Sequence, residues 1–218
     1  MDEKWFSKFF LDRYRETYCT GVFSDELDKM GFPKQVVSGW SMNNSRLRMF
    51  GRVRTVTLET VETDDEQIAK GLGFHASLEE GDVLVVKGSH EYAYFGELMT
   101  RLSVRKKLAG TVIDGLTRDS YYTQGVDYPI FAKGYTPTDI KGRGRVGETD
   151  VDVMIEGVEF CPGDFVFGDN DAVVLIPSKL IADGVKRFNA AVEQEEATKK
   201  LIFEDTSIED ILRIVKEF

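Results

Sequence analysis

Residues 81–119 read GDVLVVKGSHEYAYFGELMTRLSVRKKLAGTVIDGLTRD. Val83 to Val86 is a short, wholly apolar run after the turn residue Gly81, and Thr111 to Ile113 is another. Helical periodicity from Gly96 to Leu108 joins them. Apolar runs linked by a helix are the signature of a βαβ unit, whose parallel strands are buried on both faces. Working outward, Arg118 to Gln124 reads as a short helix and Ile130 to Ala132 as a third strand. The chain is therefore assigned to the α/β class with a βαβ core.

The flanks read differently. On the N-terminal side, Trp5, Phe6, Phe9, Phe10 and Tyr14 recur at helical spacing, which predicts a helix over about 4–18. A second helix is predicted from Ser24, as N-cap, to Met30, closed by Gly31-Phe32-Pro33. Val53 to Glu59 reads as a strand. Beyond Thr136, Val151, Val153 and Ile155 alternate with polar residues up to a turn at Glu156-Gly157. Val158 to Phe160 and a Pro162-Gly163-Asp164 turn complete a β-meander. A last strand is predicted at Val173 to Ile176, and helices from about 178 to 217. His75 is expected to be structural or exposed, Lys141 to Arg145 a mobile loop, and Cys161 a small buried residue. Nothing divides the chain, so residues 1–218 are read as one domain.

Composition narrows the partners. The 218 residues carry a net charge of -10 with no Lys/Arg-rich run, which disfavours a phosphate backbone and so excludes nucleic acid. Two cysteines, Cys19 and Cys161, give neither a disulfide framework nor a zinc motif and point to a reducing compartment. The first residues lack a basic start and a long apolar segment, and no run approaches the roughly 18 apolar residues of a bilayer span. A soluble cytoplasmic protein, without membrane association, is the expectation.

The chemistry concentrates in two short motifs. Gly96-Glu97 opens a helix, and Arg118-Asp119 follows the next strand, with 20 residues between Glu97 and Arg118. In an open parallel sheet both leave the carboxyl edge, where ligands bind. The amides of Gly96, Glu97, Leu98 and Met99 at the helix start suit a carboxylate. Arg118 would grip the same anion as a planar fork, and Asp119 is a hard oxygen ligand for a divalent cation such as Mg2+. An isolated Arg-Asp dipeptide would be read as an ordinary solvated pair. The spacing and its setting after an apolar strand raise it to a candidate site.

Several further stretches occur in one order along the chain: TGVFSDELDKMG (20–31), GRVRTV (51–56), GDVLVV (81–86), Gly96-Glu97-Leu98 and Ile113-Asp114-Gly115 with Arg118-Asp119. PIFAKG (129–134), Pro162-Gly163-Asp164 and the run from Asp169 to Pro177 follow. In these the chain resembles the class II 4-hydroxy-4-methyl-2-oxoglutarate / 4-carboxy-4-hydroxy-2-oxoadipate aldolases, which share their fold with the regulator of ribonuclease activity A. The resemblance implies a swivelling β/β/α domain assembled as a homotrimer or homohexamer, with sites between subunits. It implies a pyruvate-forming, divalent-metal lyase that either cleaves a 4-hydroxy-2-oxo acid or decarboxylates oxaloacetate. In that scheme Gly96, Glu97, Leu98 and Met99 hold the pyruvyl carboxylate and Arg118 binds substrate and stabilises the enolate. Asp119 ligates Mg2+ or Mn2+, and Glu97, with Asp25 as a weaker candidate, orders metal-bound water.

This chain departs from the family at three places: Tyr122 where an acid is common, Lys87-Gly88-Ser89-His90 in place of a more acidic loop, and Ala172 in place of a glycine. His90, Tyr92, Tyr94 and Tyr122 are thus either an altered pocket or plain packing. The alternative function is a non-catalytic, protein-binding regulator. The ribonuclease regulator lacks the aspartate after its arginine, and Asp119 favours the enzyme.

Overall fold

The computed structural model describes residues 17–61 and 67–215. In chain order these form α1 (Thr20–Lys29), β1 (Val36–Ser38), β2 (Ser41–Met42), β3 (Met49–Thr60), α2 (Gln67–Ser77), β4 (Asp82–Lys87) and α3 (Glu97–Lys106). There follow β5 (Gly110–Thr117), α4 (Ser120–Thr123), β6 (Ile130–Tyr135), β7 (Gly144–Thr149), β8 (Val153–Ile155) and β9 (Val158–Phe160). The last elements are β10 (Phe165–Gly168), β11 (Ala172–Ile176), a 3-10 turn (Ser178–Leu180), α5 (Ile181–Phe203) and α6 (Ile208–Ile214).

One mixed sheet runs in the order β1-β11-β10-β3-β4-β5-β6-β2, with β7 also paired to β3. Its centre, β3-β4-β5-β6, is parallel, and the strands added outside it are antiparallel. The apolar runs are explained by burial on two sides. Val83, Val85, Val112 and Phe131 face a core closed by the β8-β9 hairpin through Val153, Ile155, Val158 and Phe160. Leu84, Val86, Ile113 and Ile130 face the other way, onto Phe74, Leu78 and Phe95. Each such side chain contributes about 1.5–3 kcal/mol when removed from water. A third cluster seats α1 and α5 on β10 and β11, through Phe23, Leu27, Phe165, Phe167, Val174 and Phe188.

The predicted α/β class, βαβ core and C-terminal helices are present; the predicted meander is cut to a two-stranded β8-β9 hairpin, because β10 pairs with β3 and β11 in the main sheet rather than with β9. Several boundaries differ. The predicted helix over 4–18 falls almost wholly outside the described residues, and residues 17–19 are not helical. α1 starts at Thr20 rather than after Ser24 because its cap is remote. Cys19 makes no side-chain cap, and Asp169 instead accepts from the Thr20 amide at 2.8 Å and its hydroxyl at 2.9 Å. Of the predicted Lys141 to Arg145 loop, Gly144 and Arg145 open β7 and pair with β3. The C-terminal helices are interrupted at 204–207, where Ser207 recaps α6 by accepting from the Asp210 amide. Cys161 is partly exposed rather than buried, and both cysteines are free. Its thiol is pushed up to about 11, by burial first and then by a hydrogen bond to Asp152, so it is a poor nucleophile. Among the described residues no helix is long and apolar enough to cross a membrane.

His75 is structural. On α2 it is 3% exposed, its Nε2 lies 3.4 Å from the Ser103 hydroxyl on α3, and its Nδ1 has no partner among the described residues. Burial, reinforced by the Lys106 charge, lowers its pKa from 6.5 to about 4. The unfolded chain therefore binds a proton between about pH 6.5 and 4 that the folded chain refuses. Folded-state stability should be fully present above that window and fall through it by about 3 kcal/mol. Urea melts across this range should show the slope in the parent and a flatter profile in His75→Leu; equal slopes would refute the assignment.

Candidate active site

The site forms at the carboxyl edge of β4, β5 and β6, and the backbone is tied there before any side chain acts. Gly88 donates to the Asp114 carbonyl at 3.1 Å, and Leu116 donates to the Ser89 carbonyl at 2.9 Å. The loop after β4 thus crosses directly over β5, where the β5-β6 ladder shifts register between Ile113 and Leu116. A Cβ on Gly115 would lie 2.4 Å from the Ser89 carbonyl oxygen, so only glycine permits the crossing. At the loop's far end the Phe95 carbonyl accepts from the Arg118 amide at 3.1 Å and from the Thr117 hydroxyl at 2.8 Å. The start of α3 and the end of β5 are thereby clamped together.

Asp114 and Lys133, both within the resembling stretches, serve this scaffold. The buried Asp114 carboxylate lies between Lys87 and Lys133, 2.7 Å from the latter, and Lys133 continues to Glu156 at 2.6 Å. Burial would raise the Asp114 pKa, but the two lysines outweigh it and hold it below the usual value. The network pins the β8-β9 turn to the sheet.

Above the clamp, Arg118 and Asp119 meet the start of α3. Asp119 caps α4 in the left-handed region, φ 59° and ψ 48°, a conformation that costs a non-glycine residue ~1–2 kcal/mol and is tolerated best by Asn and Asp. Its Oδ2 accepts from the Glu97 amide at 2.9 Å, while Oδ1 lies 3.4 Å from Arg118 Nε. The opposite edge of Arg118 reaches Asp139: Nη1 lies 2.8 Å from Oδ2. Burial alone would lower the Arg118 pKa; the hydrogen bond to Asp139 and the charges of Asp119 and Asp139 raise it, so the guanidinium is a fixed cation.

The structure brings together Gly96, Glu97, Leu98, Met99, Arg118 and Asp119, as their spacing predicts. Three expectations change. The first-turn amides of α3 are not all open, because Asp119 occupies that of Glu97; Leu98 and Met99, like every residue of a first turn, have no partner four residues back. The Glu97 side chain points to Tyr121, whose hydroxyl donates to it, and to Arg101, at 2.7 Å. The tyrosine hydrogen bond, then Arg101, lowers its pKa, which makes it a carboxylate at neutral pH and not a proton donor. Asp25 is not brought to the site within this chain: it is exposed on α1, which packs on α5, β10 and β11.

Asp139, Arg101 and Tyr121 were missed by the sequence reading. Asp139 carries only the weak signal of an acid in the loop after β6, at the same sheet edge. Among the aromatic candidates, Tyr92 is buried and reaches the Thr60 hydroxyl at 3.4 Å, His90 is exposed, and Tyr122 borders the site beneath Arg101, 4.2 Å from its ring centroid.

Among the described residues no three His, Cys, Asp or Glu side chains gather into a metal cage. Asp119 offers one partly exposed carboxylate, with lone pairs to spare beyond its two contacts. That donor set fits Mg2+, which keeps several waters and is held by one or two carboxylates together with substrate oxygens.

Known proteins resemble this chain in sequence and fold. A protein of Halalkalibacterium halodurans named "Putative 4-hydroxy-4-methyl-2-oxoglutarate aldolase" is 28% identical over 195 residues, covering 88% of each chain. A 4-hydroxy-4-methyl-2-oxoglutarate aldolase of Thermus thermophilus is 35% identical over 134 residues, 61% of this chain and 77% of its own. The crystal structure of Streptomyces coelicolor RraAS2, described as an unusual member of the RNase ES inhibitor RraA family, superposes with TM-score 0.74 at 24% identity. It covers 91% of this chain and 96% of that one, and shows the shared fold. The RNA-processing inhibitor RraA from Thermus gives TM-score 0.57 at 29% identity, over 71% and 92%. Residues 20–175 match the model of the RraA-like family, described as Aldolase/RraA, and this chain belongs to that family.

Proposed function

We propose that the protein is a divalent-metal lyase that releases pyruvate from a 2-oxo acid, by retro-aldol cleavage of a 4-hydroxy-2-oxo acid or by decarboxylation of oxaloacetate. The observation that carries this reading is the meeting of Arg118, Asp119 and the first turn of α3 at one sheet edge. The relatives named as 4-hydroxy-4-methyl-2-oxoglutarate aldolases support it. In both reactions a C–C bond to C3 breaks and its electron pair moves onto the 2-oxo oxygen as an enolate forms; C3 is then protonated. In the retro-aldol case the 4-hydroxyl also gives its proton to water held beside Glu97, and water supplies the proton that C3 takes up in both reactions. Arg118 binds the anionic substrate and stabilises the oxygen as charge grows there. The Leu98 and Met99 amides receive the carboxylate. A Mg2+ or Mn2+ ion held by Asp119 would supply Lewis-acid stabilisation of the same oxygen. In the retro-aldol reaction Glu97 acts as a fixed negative charge that orients water.

A trimer or hexamer is part of the proposal. Leu98, 77% exposed, and Tyr121, 80% exposed, leave apolar surface beside the pocket that a second subunit would cover. A cytoplasmic setting agrees with two free thiols. The regulator reading has one specific support, the likeness to the Thermus RNA-processing inhibitor.

The test is pyruvate release from 4-hydroxy-4-methyl-2-oxoglutarate, 4-carboxy-4-hydroxy-2-oxoadipate and oxaloacetate, with Mg2+ and with excess chelator. Chelation should abolish activity and Mg2+ restore it. Asp119→Asn retains an acceptor for the Glu97 amide and tolerates the left-handed backbone, so it should fold but lose activity. Equal rates in chelator and in Mg2+ would reject the metal-dependent mechanism.

A further inference from the structure

Arg118 lies between two carboxylates, and the closer contact is the one absent from the motif. Asp119 stands 3.4 Å from Nε and is already engaged by the Glu97 amide; Asp139 stands 2.8 Å from Nη1. Asp139 is itself held. Its Oδ1 accepts from the Lys141 amide at 3.2 Å, and its carbonyl accepts from Arg143 Nη1 at 3.2 Å. On either side of it, the Ala93 amide donates to the Thr138 carbonyl at 2.9 Å and the Ile140 amide to the Ala93 carbonyl at 3.2 Å. The loop after β6 is thereby sewn to the loop that leads into α3, and Asp139 is delivered as an oriented acid rather than a free surface one.

We propose that Asp139 is the positioning residue for Arg118, fixing the guanidinium by Nη1 so that Nη2 is presented to the carboxylate of the 2-oxo acid. The role rests on the lyase reading above. An arginine stem has many rotamers, and a single long contact to Asp119 does not select one; the planar fork confers specificity only when it is held. Asp139 acts through Arg118 and need not touch the substrate. Its negative charge also balances a cation that would otherwise draw Asp119 away from the Glu97 amide and from a metal ion.

The experiment compares Asp139→Ala and Asp139→Asn with the parent in kcat and KM, with and without added formate, and repeats Asp139→Ala on an Arg118→Ala background. Asp139→Ala should lose ~10- to 100-fold in kcat/KM, the scale expected for a misplaced binding group. Asp139→Asn, which still offers Nη1 an oxygen, should lose less. Formate should restore part of the activity of Asp139→Ala by occupying the vacated carboxylate position, and none of that of Arg118→Ala. With Arg118 gone, Asp139→Ala should cause no further loss. Parent kinetics in Asp139→Ala, or an equal loss on both backgrounds without formate rescue, would overturn the role while leaving the lyase reading intact. A parent protein that neither releases pyruvate from any of the acids nor binds oxalate, a mimic of the enolate, would overturn the lyase reading and this role with it.

Discussion

Arg118→Ala is expected to lower kcat by ~100-fold or more, the scale seen when one donor to a developing oxyanion is deleted. Two effects combine. The variant loses the cation that the proposed mechanism sets against the 2-oxo oxygen, and it leaves Asp119 and Asp139 facing the site without the charge that separates them. Repulsion from two carboxylates would also oppose an anionic substrate, so KM should rise as well. Arg118→Lys keeps the charge but cannot contact Asp119 and Asp139 from two edges of one plane, and should retain intermediate activity. Steady-state constants for both variants decide the matter. A rise in KM with kcat unchanged would reduce Arg118 to a binding group, and parent values of both would make the Arg-Asp pair a surface feature.

How much of this was legible in the sequence depends on the range of the forces involved. β4 and β5 were readable because burial on both faces demands unbroken apolar runs, a purely local pattern. The 20-residue interval between Glu97 and Arg118 is in effect one helix and one strand, and it returns the chain to the same sheet edge. The start of α1 was not readable. Its cap is Asp169, 149 positions away, so the local Ser24 was chosen in its place. β1 and β2 have three and two residues, too short for any period, and exist through pairing with β11 and β6. Gly144 and Arg145 looked like loop because glycine and arginine favour no strand; pairing with the long β3 overrides that preference.

At the site, residue types were legible and directions were not. Helix-terminus reasoning marks the start of α3 as a place for an anion, and the anion found there is the protein's own Asp119. Glu97 was placed in the right neighbourhood, but its direction is set by Tyr121 and Arg101, which lie across α4 and one turn along α3. Asp139 needed the pairing of two loops to reach Arg118, and loop pairing leaves no periodic trace. The consequence for the proposed substrate binding is specific: with the Glu97 amide occupied, Leu98, Met99 and Arg118 are what the site offers a carboxylate.

Gly96→Ala should be nearly as damaging as loss of Arg118 itself, with little cost to the fold. Gly96 has φ -160° and ψ -151°, extended backbone open to other residues, so the requirement for glycine is one of space. A Cβ there would lie 2.4 Å from Arg118 Cγ and 2.5 Å from Asp119 Oδ2, well inside contact distance. Because Arg118 and Asp119 are anchored through backbone to Phe95 and α4, the added methyl must push both side chains off the start of α3. Overpacking of this kind costs ~1–3 kcal/mol, which for a chain of this size lowers Tm by roughly 2–12 °C. Displacing a binding group by ~1 Å can cost ~100-fold in rate, so kcat/KM should collapse in a protein that still folds. Gly73→Ala, whose methyl would meet nothing within 4 Å, is the matched control and should leave kinetics unchanged. Thermal melts and steady-state kinetics of the two variants separate the effects. A folded Gly96→Ala protein with parent kcat/KM would show that turnover does not need Arg118 and Asp119 packed against α3.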